Sequence, residues 1–173
     1  MKRIIILLIF LVLQTSFCNS QSKKCDTISF YDLKFNGNNF YVKFEKIKKY
    51  INDTKTKATV SPSRYVKIPF KNFKDKDNVY MIYSDFFDFS YTNDSKNIFI
   101  QRIKIIDKID LRINKIKITD NLKIQDIKKF FPNIYENNDK EYQLKLLIKK
   151  DKKTAYLFFN FKNNKLSDVM LDN

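Results

Sequence analysis

Apolar and polar side chains alternate twice in succession near the C-terminus, and this pattern constrains the fold more than any other feature of the chain. Tyr142, Leu144, Leu146 and Ile148 occupy every second position, and Ala155, Leu157, Phe159 and Phe161 do the same after a charged turn over residues 149–153. A period of two belongs to a half-buried strand, because successive side chains of an extended chain point to opposite faces. Two such runs joined by a short polar segment predict an antiparallel hairpin with one buried and one wet face. If Leu157 and Phe159 face the core, Tyr156 and Phe158 face outward.

The rest of the chain reads as short elements. Residues 28–35 (ISFYDLKF) predict a strand, and Asn36-Gly37-Asn38-Asn39 is the strongest turn signal. Phe44, Ile47 and Ile51 then recur at helical spacing opposite Glu45, Lys48 and Lys49, which predicts helix 1 over residues 40–51. Residues 52–78 are polar, with a short edge strand expected at 65–68, closed by Pro69. Residues 79–83 and 86–91 read as one long or bent strand, with Phe87, Phe89 and Tyr91 on one face. Asn93-Asp94-Ser95 turns the chain, and residues 98–106 return to form a hairpin. Ile109, Leu111 and Ile113 share a face; the parity then shifts to Ile116 and Ile118, which predicts a bulge near Asn114-Lys115. Thr119-Asp120-Asn121 supplies side-chain oxygens for a helix start, and helix 2 is expected over residues 122–131. Pro132 stops it, since proline disfavours helical geometry at the residue before it. Asn163-Asn164 turns the chain into a last strand at 166–171.

The two halves superpose. Residues 44–51 (FEKIKKYI) and 124–131 (IQDIKKFF) match in apolar, charged and aromatic positions at an offset of 80, and Leu33-Lys34-Phe35 matches Ile116-Lys117-Ile118 upstream. Each half then reads β-α-β-β, which suggests an internal duplication. The expected fold class is α+β: two tandem units forming a curved antiparallel sheet, with both helices on one face. The domain spans residues 28–173, with repeat 1 at about 28–106 and repeat 2 at about 107–173. The opposite, solvated face is expected to carry Lys115, Lys117, Lys145 and Asn160, with Tyr156 and Phe158 as outward aromatics. Such aromatics either form a binding surface or lie under the 52–78 loop.

The N-terminus argues the compartment. Met1-Lys2-Arg3 is basic, residues 4–13 (IIILLIFLVL) are ten apolar residues, and residues 14–20 are polar and mostly small. That is the layout of a bacterial secretory signal, and the apolar run is short for a membrane span. Small residues at Cys18 and Ser20 suit cleavage before Gln21, leaving residues 21–27 as a polar tether. The rival is lipidation of Cys18, where Thr15-Ser16-Phe17-Cys18 resembles a lipobox with bulky Phe17 in the small-residue position. Localisation is thus expected in the periplasm or cell envelope, with membrane association only if Cys18 is lipidated or the signal is uncleaved.

Charge and missing residue types restrict the chemistry. The chain carries 34 Lys and Arg against 19 Asp and Glu; only Lys2 and Arg3 fall in the signal, so the mature chain has a charge of +13. An anionic lipid or envelope polymer is a candidate partner on that basis. Codon bias is the competing source, since Lys, Asn and Ile all have AT-rich codons and the lysines are dispersed. Export argues against a nucleic-acid partner. Cys25 has no certain disulfide partner if Cys18 leaves with the signal. Gly37 is the single glycine, which excludes glycine-rich phosphate loops. The chain has no histidine, which removes Ser-His-Asp and Cys-His catalysis and the usual zinc sites. The carboxylate pairs Asp85 with Asp88 and Glu136 with Asp139 could serve glycoside hydrolysis or calcium binding. Asp85 and Asp88 are expected on opposite sides of a strand, and Glu136 and Asp139 in a solvated loop. No catalytic residue, cofactor or metal site is expected.

Tandem β-α-β-β units behind a signal resemble the β-lactamase-inhibitory-protein-like superfamily, which includes SmpA/OmlA-type envelope lipoproteins. Residues 159–166 (FNFKNNKL) are similar to the F-x-F-x-(N/D)-G-(K/x)-L ending of that superfamily, with Asn164 where glycine is usual. The glycine at the helix entry and the Gly-x-Pro after the helix are missing, and Phe131-Pro132 stands in the latter's place. The resemblance implies a binding or inhibitory scaffold and transfers no specific functional residue. The expected function is therefore an exported, non-enzymatic binding protein of scaffold, inhibitor or immunity type. It would contact a protein partner through the open sheet face, with Tyr156, Phe158, Lys115 and Lys117, or through the 52–78 loop, with binding of anionic lipid or envelope polymer as the alternative.

Overall fold

A computed structural model describes residues 25–43, 45–46, 57–62, 68–71, 78–84, 86–92, 97–106, 109–136 and 143–172. Its strands are β1 (Thr27–Ser29), β2 (Leu33–Phe35), β3 (Tyr41–Lys43), β4 (Lys57–Pro62), β5 (Asn78–Tyr83), β6 (Phe87–Thr92), β7 (Asn97–Lys104), β8 (Leu111–Ile113), β9 (Ile116–Ile118), β10 (Tyr135–Glu136), β11 (Gln143–Lys150), β12 (Lys153–Lys162) and β13 (Lys165–Asp172). Among the described residues a single helix of seven or more residues, α1 (Ile124–Phe130), accompanies them. The fold is mostly β. This corrects the expected α+β architecture of two β-α-β-β units with two helices.

The large sheet runs β1-β11-β12-β13-β7-β6-β5-β4, with β10 also on β11 and β3 also on β7. β10 and β1 share one edge of β11, at Leu144–Lys145 and Leu147–Lys149. In the same way β3 and β13 share one edge of β7, at Asn97–Phe99 and Arg102–Lys104. The sheet is mixed, because β1 runs parallel to β11. A second sheet, β2-β8-β9, brings the early strand β2 beside a hairpin from the middle of the chain.

The departures from expectation have local causes. At the start of expected helix 1, Tyr41–Lys43 is a strand paired with β7, and Val42 is buried there. Aromatic and β-branched residues at 40–42 favour that extended pairing over a helix. Residues 45 and 46 are helical, while 44 and 47–51, including Ile47, lie outside the described residues. Residues 78–83 and 87–92 form two paired strands rather than one long or bent strand. Ser84 closes the turn between them: its amide donates to the Phe87 carbonyl at 2.8 Å, and its hydroxyl accepts from the Phe87 amide at 2.9 Å. The parity shift after Ile113 is a tight hairpin, β8 to β9, rather than a bulge in one strand; Asn114 turns it with φ 55°. An edge strand, β4, lies within the segment read as polar, and its terminal Pro62 is tolerated because a sheet edge needs no further donor; of the edge strand expected at 65–68, residues 65–67 lie outside the described residues. α1 starts after Lys123 rather than at 122, since residues 120–121 form a turn. Its end before Pro132 agrees with the expectation.

The C-terminal alternation is realised as read. Leu144, Leu146, Ile148, Ala155, Leu157, Phe159 and Phe161 are all buried; Tyr142 lies outside the described residues. On this face Phe131, after α1, packs against Phe159 with ring centroids 6.4 Å apart. Phe35 of the small sheet meets Phe87 of β6 edge-on at 5.2 Å. The helix and the small sheet thus cover neighbouring parts of one buried face. Each fully buried large side chain contributes about 1.5–3 kcal/mol of hydrophobic stabilisation.

Candidate functional site

Strand pairing places the other face of the large sheet in register. One row runs Tyr135, Lys145, Phe158, Met170, Arg102 and Asp88, across β10, β11, β12, β13, β7 and β6. A second row holds Gln143, Asn160, Asp168 and Lys104, and a third holds Leu147, Tyr156 and Asp172. Lys145, Tyr156, Phe158, Met170 and Asn160 are half-buried, and Tyr135 is exposed.

This face divides into two halves. In the apolar half the Tyr156 and Phe158 rings lie 6.2 Å apart. The Lys145 ammonium sits 5.7 Å from the Tyr135 ring centre and 5.4 Å from that of Tyr156, within cation–π range. The polar half is tied down by hydrogen bonds. Arg102 grips Asp88 with two bonds, Nε to Oδ2 at 2.6 Å and Nη2 to Oδ1 at 3.1 Å. This bond to Asp88 raises the Arg102 pKa above its ordinary value, and the nearby charge of Asp168 adds to the effect while burial opposes it. Asn160 receives the Gln143 amide and donates to Asp168 Oδ1 at 2.7 Å, while the Ser167 hydroxyl donates to Asp168 Oδ2 at 2.7 Å. Buried polar networks of this kind rigidify a surface when their members are satisfied.

Of the residues singled out from sequence, Tyr156, Phe158, Lys145 and Asn160 come together on this face. Lys115 and Lys117 do not. They are exposed on the β8–β9 hairpin, which leaves the large sheet to pair with β2. Cys18 lies outside the described residues, as do Asp85 and Asp139. Asp88 is bound to Arg102, and Glu136 pairs with Lys128 at 2.7 Å. Cys25 stands beside Tyr135 at the edge of the face, and burial pushes its thiol pKa up, away from the reactive thiolate. Among the described residues no three His, Cys, Asp or Glu gather into a metal-binding group, and no helix is long and apolar enough to cross a membrane.

Sequence reasoning missed Tyr135, Met170 and the Arg102–Asp88 pair as members of this face. Hairpin parity across β6 and β7 could have paired Arg102 with Asp88. No local signal places β13 beside β7, and that pairing sets Met170 next to Arg102.

A separate groove was also not legible. It is an open cavity of about 440 Å³ lined in part by Phe30, Tyr31, Tyr41, Phe70 and Lys150. Phe30 meets the rings of Tyr31, Tyr41 and Phe70 edge-on, at 5.9, 5.9 and 5.1 Å. The Lys150 ammonium lies 5.3 Å from the Phe30 ring centre and 5.0 Å from that of Tyr41. The Tyr41 hydroxyl donates to the Pro69 carbonyl at 3.1 Å, and burial pushes its pKa up to about 12.

Comparison of the chain with protein-family models, with curated proteins and with solved structures finds no match to any of them.

Proposed function

We propose that this is an exported, non-enzymatic binding protein that docks a protein partner on the open face of its large sheet. One observation carries the reading. Tyr135, Tyr156, Phe158 and Met170 form an apolar half around Lys145, beside a polar half whose side chains already hold one another in place. An apolar patch bordered by satisfied polar groups is common in protein interfaces, where aromatic side chains and Met are enriched. The aromatic residues supply contact area at low entropic cost, and a rigid margin lowers the ordering cost of binding. The absence of histidine, and the ion pairs of Asp88 and Glu136, support a non-enzymatic role. Export rests on the N-terminal pattern, and the scaffold, inhibitor or immunity role rests on the resemblance to the β-lactamase-inhibitory-protein-like superfamily.

Binding of anionic lipid or envelope polymer remains the second reading, supported by the +13 charge of the mature chain. Salt separates the two. The protein is used to capture partners from envelope extract at low salt and at about 0.5 M salt, where the Debye length falls to roughly 4 Å. A protein retained at high salt, and lost from a folded Tyr156→Ala, Phe158→Ala double variant, is the expected result. Loss of central aromatic anchors costs about 2 kcal/mol or more, roughly thirtyfold in affinity. Loss of every partner at high salt, or a partner indifferent to the double variant, would refute the docking face.

A further inference from the structure

We propose that the groove beside β3 binds a compact aromatic anion, a flat apolar body bearing one carboxylate or sulfonate group. The inference is independent of the docking face. Its volume of about 440 Å³ falls within the range of about 300–1,000 Å³ typical of small-molecule sites. The floor is apolar: Tyr31, 49% exposed, and the half-buried Tyr41 and Phe70 present ring surface, and buried Phe30 backs all three edge-on. A flat ring can stack or pack edge-on against such a floor, as aromatic pairs prefer.

The head group is specified by charge. Among the described residues lining the groove none is acidic, and its other lysine, Lys71, is engaged with the Thr92 hydroxyl. The Lys150 ammonium is carried over the aromatic floor and held against the faces of Phe30 and Tyr41. A cation held against apolar rings attracts an anion more strongly than a fully solvated surface lysine does. Asn39 sits at the rim with its carbonyl oxygen already taken by the Lys34 ammonium at 2.6 Å, which leaves the amide nitrogen to donate to an arriving anion. A neutral compound of the same shape would gain the floor but not these contacts.

Backbone strain marks the same place. Phe70 adopts φ 63°, a left-handed conformation that is an outlier for a bulky residue. Two long-range bonds hold it: the Lys153 ammonium donates to the Phe70 carbonyl at 3.2 Å, and Tyr41 donates to the carbonyl of Pro69. The result is a Phe70 ring set against Phe30 as one wall of the groove. Strained residues that the surrounding structure over-determines cluster at ligand sites.

A matched pair of probes tests the proposal: 8-anilinonaphthalene-1-sulfonate, an aromatic anion, and N-phenyl-1-naphthylamine, nearly the same body without the charge. Fluorescence titration of the purified protein is expected to show the anion binding at one site about tenfold or more tighter than the neutral probe, the order of a charge-assisted contact. Lys150→Met, which keeps the stem and removes the charge, should erase that preference and leave the neutral probe unchanged. Lys150→Arg should restore it. Amide shifts on adding the anion should centre on Tyr31, Asn39 and Phe70. Equal affinity for the two probes, a preference that survives in Lys150→Met, or shifts centred elsewhere on the molecule would each overturn the assignment.

Discussion

Asparagine does in this chain what glycine does in most others. The chain holds a single glycine, Gly37, yet among the described residues six others take positive φ, and four of them are Asn: Asn36, Asn114, Asn163 and Asn164. The short Asn side chain can bond locally, so it enters the left-handed region at lower cost than other residues with a Cβ. Asn163 and Asn164, at φ 52° and 60°, make the two-residue loop that joins β12 to β13. Positive φ at both loop positions is the twist that two-residue hairpins favour. Asn164→Gly should therefore leave the melting temperature unchanged or raise it. Asn164→Val should lower stability by about 1–2 kcal/mol, the cost of a left-handed β-branched residue. A thermal melt of both variants checks this; equal melts would show that the turn conformation is not what Asn164 supplies.

Helix α1 shows how an element can be legible in sequence and yet depend on packing. At seven residues it is too short to persist alone in water. The Lys123 amide donates to Asp126 Oδ2 at 3.0 Å, which satisfies one of the unpaired donors at its start. What holds it is Ile127, fully buried, together with Phe131 on the Phe159 ring. Ile127→Asp places an unpaired charge in that contact and should cost several kcal/mol, a large share of a domain's stability. Chemical denaturation should show it as a lower midpoint. A variant that denatures like the wild type would mean that the helix does not face the sheet. The expected counterpart of Ile127 in helix 1, Ile47, lies outside the described residues.

The molecule as a whole is closed by its first strand. β1 lies parallel to β11 through Thr27, Ile28 and Ser29, about 120 residues away in sequence. Ile28 is buried by this pairing, and Asp26 just before it accepts the Asn133 amide at 2.7 Å. Removing residues through Ser29 would bare part of the β11 edge, and an open strand edge invites pairing with another chain. The truncated protein should melt at a lower temperature and self-associate, read by light scattering. A truncated chain that melts like the intact one and stays monomeric would show that β1 is dispensable.

The sequence by itself determined the elements whose information is local. The alternation at 144–161 set which side chains of β11 and β12 are buried, and hence that Tyr156 and Phe158 face away from Leu157 and Phe159. Asn and Pro marked turns and the end of α1 because backbone sterics act within one or two residues. Tertiary structure alone decided which strands distant in sequence became neighbours. The matching stripes at 44–51 and 124–131 suggested duplicated units, but Tyr41–Lys43 entered the sheet, where pairing with β7 satisfies its backbone and buries Val42. Lys115 and Lys117 left the face that parity had given them because β8 found β2, some 80 residues earlier, instead of the large sheet. The open face of the large sheet and the groove are assembled from segments spread over most of the chain. Pairing between distant strands depends on complementary burial of whole faces, and short local patterns do not encode that choice.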